Sequence, residues 1–239
     1  MHTKNLPIIR ANAEFYISNK LAALQSNKIN YEQLLEICNN YRQIGICTLF
    51  IEYSAQSLFD NLIKSSKAFL YGITNIHKSQ VTTSKALPLF DAIACNDYRL
   101  AQKISTALSR EHNPEEEYLD EFLYFSFLMQ RFFLNGNEQS CNDLLVRYED
   151  LLDGTTDEQF VICKALNNKD KALFDDGLEQ LIIKNSNKYK QGFLNGSILE
   201  EEYATNGCIF IEGLALIRLA NTIGITTEKN YLFIPSIVI

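Results

Sequence analysis

Apolar side chains recur at intervals of three and four along most of this chain, and few helix-ending residues interrupt them. Ile9, Ala13, Tyr16, Ile17, Leu21 and Leu24 fall on one face of a helix predicted over 8–25. Only four prolines and ten glycines are spread over 239 residues, whereas a β fold would need a turn signal about every 8–12 residues. The pattern predicts an all-α fold. A hydrophobic content of 46% supplies the apolar surface such a fold must bury, and it argues against disorder.

Asn30 is placed to cap a second stripe that starts at Tyr31, Leu34, Leu35 and Cys38 and resumes after Gly45 through Leu49, Tyr53, Leu58, Leu62 and Phe69. One kinked helix and two helices both fit, because a mid-helix glycine costs only about 1 kcal/mol relative to alanine. The polar segment 74–84 reads as a loop within one globule spanning 1–239, with a division into 1–76 and 85–239 as the alternative. Beyond it, turns at Cys95-Asn96-Asp97, 134–138 and 167–170 each end an apolar helix in Asn or Gly and offer an Asx cap to the next. These are the marks of stacked antiparallel αα-hairpins, too unequally spaced for a tetratricopeptide or ankyrin array. Asn113, Pro114 and Glu116 predict a helix start, and Thr155 or Thr156 with Asp157 and Glu158 predicts another. An apolar helix over 207–223 should stop at Gly224, and the apolar tail 231–239 should pack back on it as an extended segment.

Charge is segregated along the chain. Residues 111–158 carry thirteen acidic side chains against Arg131 and Arg147, whereas residues 1–110 carry twelve Lys/Arg against seven Asp/Glu. Concentrating like charge raises self-repulsion in the folded state, so it points to an outward field for a basic partner. Glu115, Glu116, Glu117, Asp120, Glu121, Glu138 and Asp143 are the candidate partner-binding residues. The bland reading of the first five is that carboxylates favour a helix N-terminus.

Catalytic, metal and cofactor signatures are missing from the sequence. There is no HExxH, glycine-rich phosphate loop or GxSxG elbow, and His2, His77 and His112 stand apart. The six cysteines form no CxxC pair and read as buried thiols. Glu200-Glu201-Glu202 reads as a solvated helix face, and Lys184, Lys188 and Lys190 as a helix C-terminus. An acidic pI near 5.1 without a basic stripe disfavours nucleic acid as a partner. No export signal or membrane span is apparent, so the expectation is a cytoplasmic binding protein that is not an enzyme and needs no cofactor or metal.

Residues 87–239 resemble the immunity 49 family of bacterial polymorphic-toxin immunity proteins. The likeness runs through Leu89-Phe90-Asp91-Ala92-Ile93-Ala94 with Asn96-Asp97, and through Asp170 and Phe174 in NKDKALFDDGLEQLI. It continues in the helix Leu214 to Ala220, the Gly224-Ile225 stop and the tail from Tyr231-Leu232 to Ile234-Pro235. The resemblance implies a protein that binds one cognate toxin and blocks its active site or partner surface. A helical adaptor or scaffold is the competing expectation. An enzyme built on pocketed carboxylates is a further one, for which strongly shifted pKa values would speak.

Overall fold

A computed structural model describes residues 3–76, 81–108, 111–228 and 230–239. Eleven α-helices form among them: α1 (Leu6–Gln25), α2 (Tyr31–Glu52), α3 (Ala55–Asn75), α4 (Leu87–Ala94), α5 (Tyr98–Ala107) and α6 (Leu119–Phe132), then α7 (Glu138–Leu152), α8 (Glu158–Asn168), α9 (Lys171–Leu194), α10 (Glu200–Ala204) and α11 (Ile211–Thr222). No strand forms among the described residues, where extended pairing is limited to a single antiparallel bridge between Tyr231 and Ile234. The fold is all-α. No helix among the described residues is long and apolar enough to cross a membrane.

Local chemistry sets most of the helix starts. Asn30 and Gln33 form a complete capping box at α2, and the side chains of Ser54, Asp97, Asn137, Asp157 and Asp170 each accept the N–H three residues on. At the start of α8 the cap is therefore Asp157, and neither threonine serves. The long stripe from Tyr31 is two helices, and the break lies at Tyr53-Ser54, where Tyr53 adopts φ 54°. Gly45 instead marks a close approach of α2 and α3, since a Cβ there would sit 3.1 Å from the Leu58 carbonyl oxygen. Helix α3 runs on to Asn75, into the first two residues of the expected loop, and α4 starts at Leu87; residues 77–80 of the expected loop lie outside the described residues.

Neighbours in sequence pack as neighbours in space for α1–α2, α2–α3, α3–α4, α6–α7 and α8–α9, while α4–α11 closes a long-range contact. The largest apolar cluster runs from Leu24 to Val238 and includes residues on both sides of 76/85, so the two stretches share one core. Every residue of α4 from Pro88 to Ala94 is buried, and α6 buries Phe122 through Met129 without a break. Helix α11 starts only at Ile211. It stops as expected, with Gly224 at φ 88° and the buried Ile225 donating its N–H to Ala220 O at 3.0 Å. The tail does pack back, through buried Ile234 and Val238, yet it is turned at Phe233 (φ 60°) and ends in a short 3-10 turn. Arg218 holds that turn by donating to the carbonyls of Val238 (2.8 Å) and Ile239 (2.7 Å).

Candidate functional site

The segment 113–118 departs from its expected helix. Asn113 Oδ1 does accept from Glu115 N–H, and Asn113 O accepts from Glu116 N–H and Glu117 N–H at 3.1 Å each, which makes one helical turn. That turn is not continued. The Glu117 carboxylate accepts from Ser84 N–H at 2.8 Å and Asn113 N–H at 3.5 Å, and its carbonyl lies 3.0 Å from His112 Nε2. Side-chain bonds thus take up groups that a longer helix would need, and the chain passes through extended Tyr118 before α6 begins at Leu119. The expected reciprocal cap from Glu116 comes from Glu117.

This turn forms one wall of a cavity of about 710 Å³. From α2 come Leu35, Cys38, Asn39 and Arg42, whose spacing of three, four and seven places them on one helix face. Lys85 contributes from just before α4 and Leu87, Pro88 and Asp91 from within it, Lys188 and Tyr189 from α9, and Glu202 and Asn206 from in and after α10. Glu115, Glu116, Glu117, Tyr118 and Glu121 follow from the turn and the start of α6, and Ser65, Ser84 and Pro114 complete it. The lining carries six carboxylates against three cations, so it is net negative.

Part of that charge is neutralised within the wall. Asp91, fully buried, accepts from Arg42 Nε (2.9 Å) and Nη2 (2.6 Å) through Oδ1 and from Ser65 Oγ (2.6 Å) through Oδ2. Burial pushes the Asp91 carboxyl up, and Arg42 and Ser65 pull it back toward the charged form. Lys85 and Glu116 meet at 3.3 Å with both side chains exposed, an ion pair worth only about 0.2–1 kcal/mol. Partial desolvation, and then the negative charge of Asp120, pushes Glu121 up as well. Burial also raises the Tyr189 hydroxyl to about 12. It raises the Cys38 thiol too, which is within 3.5 Å of Ser65 O and is no thiolate nucleophile.

A smaller cavity of about 80 Å³ shares Arg42, Leu87, Lys188, Tyr189 and Asn206 with the first and reaches Glu212. There Tyr124 Oη donates to Glu212 Oε1 at 2.8 Å and Gln159 Nε2 at 3.4 Å. Burial pushes Glu212 up, with Tyr124 the largest opposing influence. Tyr124→Phe should cost about 1–3 kcal/mol at neutral pH by leaving a buried acceptor short of a donor. Its loss raises the folded-state pKa of Glu212 further above the unfolded one, so the penalty shrinks as pH falls and the carboxyl takes up a proton. Urea unfolding of both proteins at neutral and mildly acidic pH reads this, and a penalty independent of pH would remove Glu212 from the explanation.

The expected partner-binding residues do not form one group. Glu115, Glu116 and Glu121 are exposed and line the cavity, whereas Asp120 is half-buried and is not part of its lining. Glu117 also lines it, but at 7% exposure its carboxylate is spent on backbone N–H groups, so it holds the wall together and is not an outward-facing acid. Glu138 and Asp143 are exposed on α7 away from the cavity, and Asp143 is bonded by Gln139 at 2.7 Å. The lysines expected to end a helix lie within α9: Lys184 bridges Asp157 (3.3 Å) and Glu158 (2.6 Å), and Lys188 faces the cavity. Within the acidic triplet, Glu200 accepts from Asn5 at 2.7 Å, while Glu202 joins the lining.

Comparison with protein-family models, curated proteins and solved structures finds no match. The cavity therefore stands on its own geometry. Of the histidines, His2 and His77 lie outside the described residues, and His112 is engaged with Glu117 and packed on Phe122 with ring centroids 5.3 Å apart. Among the described residues no cluster of His, Cys, Asp and Glu is arranged to hold a metal ion. Glu121 is the cavity-lining acid that combines exposure with a raised pKa. Sequence reasoning missed Arg42, Asp91, Asn206 and Glu212. Two of these, Asp91 in LPLFDAIA and Glu212 in IFIEGLAL, could have been found as lone charges within apolar runs.

Proposed function

We propose that this chain is an immunity-type binding protein that neutralises a basic cognate toxin inside the cell, presenting the cavity rimmed by Glu115, Glu116, Glu121 and Glu202. The observation that carries the reading is the net negative lining of that cavity, with much of its acid drawn from one short turn. A basic cleft on a toxin would be drawn to such a surface, because a concave wall with an excess of one sign focuses its field and speeds encounter. The same reading is what the sequence resemblance of residues 87–239 to immunity 49 proteins would imply.

The product of the adjacent gene should be captured by this chain, and co-expression should relieve its toxicity. Reversing Glu115, Glu116 and Glu121 to lysine should slow association by about 10- to 1000-fold at low salt, with the difference fading as salt rises. Stopped-flow association across ionic strength measures it. An unchanged rate overturns the electrostatic reading, and capture without relief of toxicity favours a scaffold.

A further inference from the structure

We infer that the cavity seats one arginine side chain carried on a loop of the partner protein, a proposal that rests on the binding role above and names its anchor. With the pairs Arg42–Asp91 and Lys85–Glu116 set aside, and Glu117 held on the N–H groups of Ser84 and Asn113, three acids, Glu115, Glu121 and Glu202, remain against the single cation Lys188 in the lining. That excess calls for a cation. The polar inventory asks for a donor as well. Asn206 is 7% exposed and lines the cavity, its Nδ2 donates to Asn39 Oδ1 at 2.7 Å, and its Oδ1 has no hydrogen-bond partner among the described residues. That oxygen is closed off from solvent, so an entering N–H recovers the cost of the unmatched acceptor by turning the Asn206 amide toward the cavity.

The walls suit a guanidinium on an aliphatic stem. Leu35, Leu87 and Pro114 offer apolar surface to methylene groups, and Tyr118 and Tyr189 also line the cavity, with Lys188 Nζ 5.8 Å from the centre of the Tyr189 ring, a place that a partner's planar cation would contest. Tyr118 is 77% exposed. A tyrosine left open beside an acid-lined cavity is the kind of residue that anchors protein interfaces, which favours a side chain delivered by a protein over a free metabolite.

The probe is Nα-acetyl-L-arginine amide, compared with its neutral citrulline isostere, titrated against the full chain by amide chemical-shift mapping. The arginine probe should bind saturably and at least about tenfold more tightly than citrulline, with shifts around Asn206, Tyr118 and Tyr189; tenfold corresponds to about 1.4 kcal/mol. Glu121→Gln with Glu202→Gln should weaken it by a similar factor, and Lys188→Met, which removes a competing cation at an exposed position, should tighten it. Glu138→Gln with Asp143→Asn should change nothing. Equal affinity for the two probes, no saturable shift at millimolar concentration, or weaker binding by Lys188→Met overturns the proposal. The anchor and the wider role separate in one further assay. If the adjacent gene product is captured equally well by the Glu121/Glu202 variant and in excess arginine amide, the anchor is wrong while the toxin-binding role stands.

Discussion

Replacing Arg42 by methionine should lower stability by about 3–5 kcal/mol at neutral pH, because it strands the Asp91 carboxylate in the interior without its counter-ion. Asp91 has no solvent exposure and takes two of its three hydrogen bonds from Arg42, whose own side chain is 13% exposed. The loss should depend on pH, with a sign that follows from the direction of the shift. Burial already pushes the Asp91 carboxyl up, and Arg42 is the largest influence pulling it down. Without Arg42 the folded-state pKa climbs further above the unfolded one. The folded variant then binds a proton that the unfolded chain releases, so its stability recovers as pH falls from about 7 toward 5. Urea unfolding of wild type and variant across that range measures the gap. A gap under about 1 kcal/mol, or one that does not narrow in acid, would contradict the account of a buried ion pair. Adding Asp91→Leu to Arg42→Met should restore most of the loss, since a buried pair replaced by apolar groups is often neutral.

Phe90→Ala should cost a comparable 3–5 kcal/mol, roughly the range for emptying a buried aromatic site, but without pH dependence. Phe90 is 1% exposed, and its ring centroid lies 6.2 Å from that of Tyr124 and 5.1 Å from that of Phe125. It therefore ties α4 to α6, next to the residue that carries the cavity's ion pair. In urea the midpoint should fall with little change in slope. A loss below about 2 kcal/mol would mean that α4 and α6 collapse into the gap, since the cost depends on how well the site can relax. The contrast between the two variants is itself informative: one removes packing and the other leaves a charge uncompensated.

Much of the candidate site was half-legible. The acidic stretch was visible by counting, and three of its exposed members do line the cavity. Glu117 was misread because its carboxylate is claimed by Ser84 N–H, a partner 33 residues away that no local pattern announces. Glu138 and Asp143 were grouped with the others by nearness in sequence, yet the turns between α6 and α7 carry them elsewhere. The opposite error concerns Asp91 and Glu212. Each stands alone in an apolar run, a pattern that signals a buried and compensated charge, but Arg42 and Tyr124 lie 49 and 88 residues distant.

Sequence alone determined what short-range physics controls. The apolar period set the helices, Asn30, Asp97, Asn137 and Asp170 set where four of them begin, and Gly224 set where α11 ends. Each of these depends on bonds or contacts within a few residues, so the information is local. Tertiary structure alone decided that the turn at Asn113 stops after one round, and that residues from α2, α4, α6, α9 and α10 enclose one cavity. Those outcomes depend on which distant groups compete for a carbonyl, an N–H or a charge, and that competition is resolved only when the helices pack.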